Sequence, residues 1–248
     1  MLRYERSEEI LNLLREKQQM TVSELCKILF TSESSIRRDL ARLEEKGLVK
    51  RHYGGVELLR TTSIIPFSAR SHHNIEAKQK IAAKAAELVN TGDIVFLDQS
   101  SSALFLAAEL EQKSGITIVT NNTEILSLLS ASRLDVFSSG GILSTDNRNC
   151  LMGEDAHAIF NKMRADLVFF SAKALSQEGK IYDCNRSEVC IRQTMLDNAE
   201  KKVFLCDSEK IGNSAGFLQC DLTDVDFIVS EKSVPGRYTT DFKNLKVI

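Results

Sequence analysis

The chain has 248 residues, a length that accommodates one large domain or two unequal ones. Hydrophobic residues make up 43% of it and charged residues 27%, which is typical of globular proteins and excludes long disordered or collagen-like segments. The formal net charge is −2, yet residues 1–60 contain 12 Lys and Arg against 10 Asp and Glu, whereas the remainder contains 20 against 24. This division predicts an anionic polymer as a partner of the N-terminal part only.

The sequence also indicates the cellular compartment of the protein. Its apolar runs are shorter than the roughly 20 residues that a membrane-spanning helix requires. The first residues, MLRYER, lack the apolar core of a secretory signal. The six cysteines are widely spaced and form no C-x-x-C pair, a pattern typical of free thiols in a reducing compartment. We therefore expect a cytoplasmic protein with no membrane partner, no metal site and no cofactor.

Three short helices are predicted in the N-terminal part. The first carries Ile10, Leu11 and Leu14 at helical spacing. A capping box, in which a threonine hydroxyl and a glutamate three residues later satisfy each other's backbone amides, opens the second. The residues predicted to cap or end these helices are Ser7 for the first, Thr21 with Glu24 for the second, and Ser32 and Gly47 for the third.

The third helix has two unlike faces. Ile36, Leu40 and Leu43 form an apolar stripe, and hydroxyl and guanidinium groups cluster on the opposite side of the first turns. A helix that presents such groups at its N-terminal end is typical of the recognition helix of a helix-turn-helix protein. Asp39 is expected to face outward beside the arginines, where it orients an arginine or pairs within the domain.

A hairpin is predicted after the third helix, because two short β-prone runs within 48–58 flank Gly54 and Gly55. A basic hairpin at this place is typical of the wing of a winged helix-turn-helix. The alternative is a small helical dimerisation domain that happens to be basic. The residues predicted to contact DNA are Ser34, Ser35, Arg37, Arg38, Arg42, Arg51 and His52.

These residues also carry a family resemblance. The stretch SSIRRDLARLE at 34–44, followed by RHYGG at 51–55, resembles the DeoR family of bacterial transcriptional regulators. Ser35 stands where the family usually has threonine. The resemblance implies a winged helix-turn-helix domain over residues 1–58, followed by an effector-sensing domain.

The remainder divides into a linker at 59–75 and a domain at 76–248. Beyond residue 75 apolar strands alternate with amphipathic helices, which predicts a doubly wound, mostly parallel α/β domain. The predicted strands lie at 94–97, 116–119, 134–137, 167–170, 203–205 and 227–229, and the helices at 78–90, 102–112, 123–131, 154–162 and 187–199.

Small polar residues follow successive strands of this predicted sheet. Because ligands of such sheets bind beyond the carboxyl ends of the strands, these residues predict a pocket. The helix that opens after Asp98 offers backbone amides to a phosphate, and Lys210 offers an ammonium. Polar turns also arise simply as helix caps. The residues predicted to bind an effector are Asp98, Ser100, Ser101, Ser102, Asn121, Gly140, Gly141 and Lys210.

The family resemblance extends to this domain and implies similarity to ribose-phosphate isomerases and glucosamine-phosphate deaminases. One departure stands out, since the chain has DQSSS at 98–102 where the family usually has Asp-x-Gly-Thr-Thr. The loss of glycine at Ser100 removes easy access to positive φ and close backbone approach. Lys173 stands where the family tends to be small and neutral, so it either adds a charge to the pocket or lies at its rim.

The leading hypothesis is a DNA-binding transcriptional regulator, a repressor of carbohydrate-metabolism genes, modulated by a phosphorylated sugar. Its expected partners are a double-stranded DNA operator, the effector and further copies of itself in a dimer or tetramer. One alternative is a regulator with a degenerate pocket. Another is an isomerase or deaminase whose base is Asp98, Asp207 or Glu188, with Lys210 polarising an oxygen. We expect no catalytic residues.

Overall fold

The computed structural model describes residues 3–17, 19–45, 49–58, 66–242 and 244–248. The chain forms two compact units, Met1–Ala69 and Arg70–Ile248. The α-helices are α1 (Arg3–Lys17), α2 (Val22–Ile28), α3 (Glu33–Glu45), α4 (Phe67–Ser71), α5 (Ile75–Ala86), α6 (Ser101–Leu110), α7 (Thr123–Leu129), α8 (Glu154–Lys162), α9 (Arg186–Asp197) and α10 (Gly236–Asp241).

Fifteen strands lie among the described residues, together with short 3-10 helices at Ser208–Lys210 and Leu222–Asp224. The strands are β1 (Gln19–Thr21), β2 (Val49–His52), β3 (Gly55–Leu58), β4 (Ile94–Leu97), β5 (Thr117–Thr120), β6 (Asp135–Ser138), β7 (Ile142–Leu143), β8 (Leu151–Met152), β9 (Ala165–Phe170), β10 (Ala174–Leu175), β11 (Lys180–Asp183), β12 (Ala199–Leu205), β13 (Phe217–Asp221), β14 (Phe227–Val229) and β15 (Lys246–Val247).

The N-terminal unit is a winged helix-turn-helix. Apolar residues of α1, α2 and α3 pack with Met20, Val49 and Val56 into one core, which contains the predicted stripe of the third helix. The predicted hairpin is confirmed as β2 and β3, whose two-residue turn places Gly54 at φ +88°. Strand β1, which was not predicted, pairs antiparallel with β3 and makes a three-stranded sheet.

The helix ends confirm some of the predicted caps and correct one. The Thr21 hydroxyl accepts the Glu24 amide at 3.2 Å, and Glu24 accepts the Thr21 amide at 2.8 Å, so the capping box is present. Ser32 directly precedes α3, and its carbonyl oxygen accepts the first helical amides. The prediction for Ser7 is wrong, because α1 begins at Arg3 and Ser7 lies inside the helix. Gly47 lies outside the described residues.

The C-terminal unit is built on a seven-stranded sheet in the order β15-β14-β12-β9-β4-β5-β6, and all its pairings are parallel. From β4 the chain proceeds outward through β5 to β6, then returns to the other side of β4 for β9 and continues outward through β12. The strand order therefore reverses between β4 and β9. In open α/β sheets such a reversal leaves a crevice beyond the carboxyl ends of the two strands.

Alternate strand residues form two cores, one on each face of the sheet. Val95 and Leu97 pack with residues of α5, α6 and α7, whereas Phe96 packs with residues of α8 and α9. Helices on both faces confirm the predicted doubly wound architecture. Apolar residues within strands and along helices set this arrangement, and it brings the carboxyl ends of all seven strands to one edge.

Several elements of this unit lay outside the sequence analysis. Strands β10, β11 and β13 form a small antiparallel sheet, and β7 pairs with β8 in another. Part of the predicted 59–75 linker is helical, since it contains α4 and the start of α5, while residues 59–65 lie outside the described residues. All six cysteines are free thiols. Of the helices in the described part of the chain, none is long and apolar enough to cross a membrane.

Candidate functional sites

The outer face of α3 presents most of the residues predicted to contact DNA. Ser34, Arg37, Arg38 and Arg42 are exposed and Ser35 is half-buried. Arg37 lies 3.3 Å from Glu33 one turn earlier, with both side chains largely in solvent, so this pair contributes little stability. The N-terminal half of α3 therefore offers guanidinium and hydroxyl groups on one accessible surface.

Asp39 does not face outward, so that expectation is wrong. Its side chain is 1% exposed, and its carboxylate accepts a hydrogen bond from Arg6 Nε of α1 at 2.6 Å. The alternative that Asp39 pairs within the domain is confirmed. The ion pair joins α1 to α3 and thereby fixes the helix that carries the exposed arginines.

The wing contributes the second part of this surface. Arg51 and His52 on β2 are exposed, and Tyr53 at the turn is completely exposed. Glu44 of α3 accepts hydrogen bonds from both the backbone amide and Nε of Arg51, at 2.8 and 2.6 Å, which connects the wing to α3. A cavity of about 290 Å³ lies between α3 and the wing. It is lined by Val22, Arg37, Leu40, Glu44, Arg51, His52 and Gly55.

Tyr53 was missed as a candidate contact. The sequence places it between the predicted contact His52 and the glycine pair, but spacing alone does not show that its ring lies in solvent. With Arg51 and His52 it forms what we call the wing tip, residues 51–53. Aromatic and basic groups together on a wing suit contact with a DNA groove or backbone.

The carboxyl edge of the parallel sheet forms the second candidate site. Asp98 follows β4 and Ser171 follows β9, the two strands that flank the reversal of strand order. The Ser171 amide donates to Asp98 Oδ2 at 3.2 Å, and the Ser100 amide donates to Oδ1 at 3.0 Å. Asp98 is fully buried, so it organises the loops of this edge from within.

Arg192 of α9 completes the environment of Asp98 and was missed by the sequence analysis. Its side chain is 1% exposed, Nε donates to Asp98 at 2.8 Å, and Nη1 lies 3.0 Å from Asp183 and 2.8 Å from Gln219. Burial disfavours its charge, but the carboxylates of Asp183 and Asp98 outweigh burial and raise the pKa of Arg192. The only sequence signal was a charged Glu188/Arg192 pair one turn apart on a helix.

The N-terminus of α6 is formed without the glycine that the family usually has. Ser100 has φ −78° and ψ 155°, and its hydroxyl caps the helix by accepting the Ala103 amide at 3.1 Å. Extended backbone at this position suits any residue, so serine introduces no strain here. Ser101 and Ser102 are buried in the first turn, and no hydrogen bond to either hydroxyl is found among the described residues.

Asn121, after β5, is fully buried and only partly satisfied. Its Nδ2 lies within hydrogen-bond distance of Gln99 Oε1, Cys150 Sγ and the Leu151 carbonyl oxygen. Within the described part of the chain, its Oδ1 atom has no hydrogen-bond donor. A buried acceptor without a donor is unfavourable by about 1–3 kcal/mol, so this atom indicates a missing partner.

Glu188 extends the buried polar network around Gln99. It is 3% exposed and accepts Asn147 Nδ2 at 3.0 Å, while Gln99 Nε2 lies 3.4 Å from its other oxygen. Neither Gln99 nor Asn147 was predicted, because neither belongs to a recognisable spacing. The network connects the loops after β4 and before β8 with α9.

The two predicted glycines after β6 differ in their surroundings. Gly140 has φ +69° and open space where a Cβ would lie. Gly141 has φ +94°, and a Cβ there would overlap the Met152 carbonyl oxygen, so β7 and β8 approach closely only with glycine at this position. Both are exposed at the same sheet edge as Asn121.

Lys210 lies at this edge after β12. Its ammonium is 3.1 Å from Asp207 and donates to the Ser171 hydroxyl. Burial alone raises the pKa of Asp207, but the Lys210 charge outweighs it and lowers that pKa. The buried Lys78 ammonium donates to the carbonyl oxygens of Arg70 and His73, and burial together with Lys210 lowers the pKa of Lys78 to about 7. Several cations therefore share the region beyond β9 and β12.

Comparison with known proteins places both units in one family. Residues 6–62 match the DeoR-like helix-turn-helix domain, and residues 73–232 match the DeoR C terminal sensor domain. The chain belongs to the DeoR family of transcriptional regulators. The family resemblance carried by residues 34–55 is thereby confirmed, and α1, α2, α3 and the wing lie within the matched helix-turn-helix domain.

Relatives match along almost the whole chain. The HTH-type transcriptional regulator GolR of Listeria innocua is 34% identical over 94% of this chain and 92% of its own length. The lactose phosphotransferase system repressor of Staphylococcus epidermidis is 28% identical, and the match covers 94% of each chain. Like these proteins, the present DeoR-family chain is a transcriptional regulator.

Solved structures similar to part of this chain include ribose 5-phosphate isomerase A from Methanocaldococcus jannaschii. The sequences are 17% identical, the match covers 54% of this chain and 53% of the isomerase, and the TM-score is 0.41. The similarity carries no information on activity.

Proposed function

We propose that this DeoR-family regulator is a repressor of carbohydrate-metabolism genes that binds a phosphorylated sugar at the carboxyl edge of its parallel sheet. The observation that carries the proposal is Asn121 Oδ1, a fully buried acceptor without a donor among the described residues. A sugar hydroxyl supplies the missing donor. The ligand thus satisfies an acceptor that the protein leaves unpaired.

The phosphate fits the N-terminus of α6. This helix begins after β4 and offers the positive end of its dipole and the first-turn amides to an anion. The Ser101 and Ser102 hydroxyls add donors of the kind that phosphate oxygens accept. Lys210 contributes positive charge from the loop after β12.

Repression follows if occupancy of this site changes the affinity for an operator. A relative named as a repressor, matched over 94% of both chains, supports this sign of regulation. We propose a dimer or tetramer that binds paired half-sites about 34–36 Å apart, with α3 in the major groove and the wing tip at the backbone. Such a role places the protein in the cytoplasm with the DNA.

We propose that the site at the sheet edge binds the effector and does not catalyse a reaction on it. Each carboxylate considered as a catalytic base has partners in the structure. Asp98 accepts from Arg192 and two amides, Glu188 accepts from Asn147, and Asp207 pairs with Lys210. These contacts fix the loops and leave the carboxylates in structural roles.

Fluorescence anisotropy with DNA from the chain's own promoter region tests the proposal. We expect tight binding that falls when one member of a panel of sugar monophosphates is added. Thermal unfolding of the same samples detects the ligand directly, because a ligand at 100 times its Kd stabilises the folded state by about 2.7 kcal/mol. Ligand stabilisation without any change in DNA affinity contradicts the proposed regulation, and a flat panel contradicts the proposed effector.

Two variants sharpen the assignment of the site. Ser101→Ala and Ser102→Ala remove hydroxyl groups without breaking a hydrogen bond found in the described part of the chain, so we expect normal stability and a weaker ligand response. Ser233→Ala, which removes an exposed hydroxyl elsewhere, is the control. Equal responses in all three variants place the phosphate away from α6.

A further inference from the structure

Lys173 lies on the sheet edge just described. It follows β9 by three residues, and its backbone amide donates to the Tyr182 carbonyl oxygen of β11 at 3.0 Å. Two residues earlier, the Ser171 amide is held by Asp98. The backbone of Lys173 is thus fixed by hydrogen bonds on both sides, beside the reversal of strand order between β4 and β9.

The Lys173 ammonium has no counter-ion in the described part of the chain. No carboxylate lies within 4.0 Å of it there, and no hydrogen bond to Nζ is found. Asp183, which attracts it electrostatically, is already paired with Arg192 at 3.0 Å. Burial, with the Lys210 and Arg70 charges, lowers the pKa of Lys173.

Two neighbouring lysines show what a satisfied ammonium looks like in this region. Lys210 pairs with Asp207 at 3.1 Å and donates to a serine hydroxyl. Lys78 donates to two backbone carbonyl oxygens. Lys173 differs from both, since it is half-buried and its ammonium has no compensating partner among the described residues. A half-buried cation that lacks a counter-ion is stabilised by an anion that completes its environment.

The order of the strands relates the loop that carries Lys173 to the proposed phosphate position. The α6 N-terminus follows β4, Lys173 follows the adjacent strand β9, and Lys210 follows β12, the next strand. Adjacent strands lie about 4.8 Å apart. The loop that carries Lys173 therefore follows a strand about 4.8 Å from the strand that leads to α6, and a short polyol chain spans the spacing between two such loops.

We propose that the effector carries two anionic groups, a phosphate at the α6 N-terminus and a second anion at Lys173. The second anion is either the carboxylate of a phosphorylated sugar acid or the other phosphate of a sugar bisphosphate. Asn121 accepts a hydroxyl of the intervening chain. This inference rests on the proposed function and specifies the class of its effector.

Matched ligand pairs test it by isothermal titration calorimetry on the full chain. Phosphogluconate is compared with sorbitol phosphate and phosphoribonate with ribitol phosphate, so that each pair differs by one carboxylate. Fructose bisphosphate is compared with fructose monophosphate, which tests the second phosphate. For a pair whose sugar chain fits, we expect the ligand with two anionic groups to bind about tenfold or more tightly than the ligand with one.

Lys173→Gln links this preference to one side chain. In this variant we expect the two ligands of a pair to bind with about equal affinity. The ligand with one anionic group should bind about as tightly as it does to the wild type. Lys173→Arg keeps the charge and retains the preference, and Lys162→Gln, at an exposed site on α8, leaves it unchanged. Circular dichroism checks that each variant is folded, and Lys173→Met repeats the test if the glutamine variant unfolds.

The outcomes separate this inference from the proposed function. Equal binding within every pair, or a preference that survives in Lys173→Gln, overturns the second anion and leaves a sugar monophosphate effector standing. If only the ligands with an added carboxylate bind more tightly than their partners, the site takes a carboxylate. If only the bisphosphate binds more tightly than the monophosphate, the site takes a second phosphate. If no phosphorylated ligand binds, the proposed effector and the second anion are both rejected.

Discussion

The exposed face of α3 in the N-terminal unit and the sheet edge of the C-terminal unit use arginine in opposite ways. On α3, Arg37 and Arg38 lie in solvent, where they remain available to a polyanion. At the sheet edge Arg192 is buried, and its donors go to Asp98, Asp183 and Gln219. The exposed arginines are thus accessible from solvent, whereas the buried one fixes the geometry of the loops around it.

Arg192→Met tests the buried half of this contrast and has the largest expected effect. The substitution keeps much of the side-chain volume but leaves the Asp98 carboxylate buried without its cation. We expect the free energy of unfolding of the C-terminal unit to fall by about 3–5 kcal/mol. Urea unfolding followed by circular dichroism measures the loss.

Two further variants show whether the missing charge is the cause. Arg133→Met, at an exposed position, changes stability by no more than about 0.5 kcal/mol. Asp98→Asn combined with Arg192→Met removes the stranded charge, so the double variant recovers part of the loss. Identical losses in the single and double variants would show that packing, and not the ion pair, dominates at this site.

The contrast also explains what the sequence alone predicted. The stripe of Ile36, Leu40 and Leu43 and the capping box at Thr21 lie within single elements, so spacing was sufficient to find them. The role of Asp39 depends on Arg6, 33 residues away, and that of Arg192 depends on Asp98, 94 residues away. Such partners are set by tertiary packing, which leaves no local pattern.

The parallel strands and the polar residues after them were predictable for the same reason. Apolar runs alternating with helices indicate the sheet, and strand ends then mark its edge. Which of these residues remain unsatisfied was not predictable, because Asp98 and Asn121 have similar sequence surroundings. Asp98 is satisfied at both oxygens, while Asn121 Oδ1 lacks a donor from the described residues.

Asp39→Ala tests the Arg6–Asp39 ion pair, which supports the helix that carries the exposed arginines. The variant loses a charged hydrogen bond between α1 and α3, and Arg6, 16% exposed, turns toward water. We expect the N-terminal unit to lose about 2 kcal/mol of unfolding free energy. Hydrogen exchange of α3 amides measures this loss separately from the C-terminal unit, which should keep its wild-type protection. An unchanged α3 would show that the pair has no structural role.

Arg38→Ala tests the exposed half of the comparison. We expect operator binding to weaken by about 1–3 kcal/mol, with stability unchanged because the side chain lies in solvent. Anisotropy titrations at several salt concentrations distinguish the type of contact, since loss of a phosphate contact reduces the salt slope by about one. Arg37→Ala should behave similarly, and Lys232→Ala, in the exposed part of the C-terminal unit, is the control. Wild-type affinity in both arginine variants would remove α3 as the recognition helix.

Thr21→Ala has the smallest expected effect and concerns the start of α2, which lies beside α3. Loss of the cap removes the acceptor of the Glu24 amide and should reduce stability by about 1 kcal/mol, whereas Ser23→Ala, at an exposed non-capping position, should not. The backbone amide and the hydroxyl of Thr21 both lower the pKa of Glu24, and Thr21→Ala keeps the amide but loses the hydroxyl. The stabilisation that the hydroxyl gives to the Glu24 carboxylate is present at neutral pH in the wild type and is lost as pH falls through the folded pKa. The difference between wild type and Thr21→Ala in urea unfolding should therefore narrow from about pH 7 to about pH 3. A difference independent of pH would assign the effect to the threonine hydroxyl alone and leave Glu24 without a part in the cap.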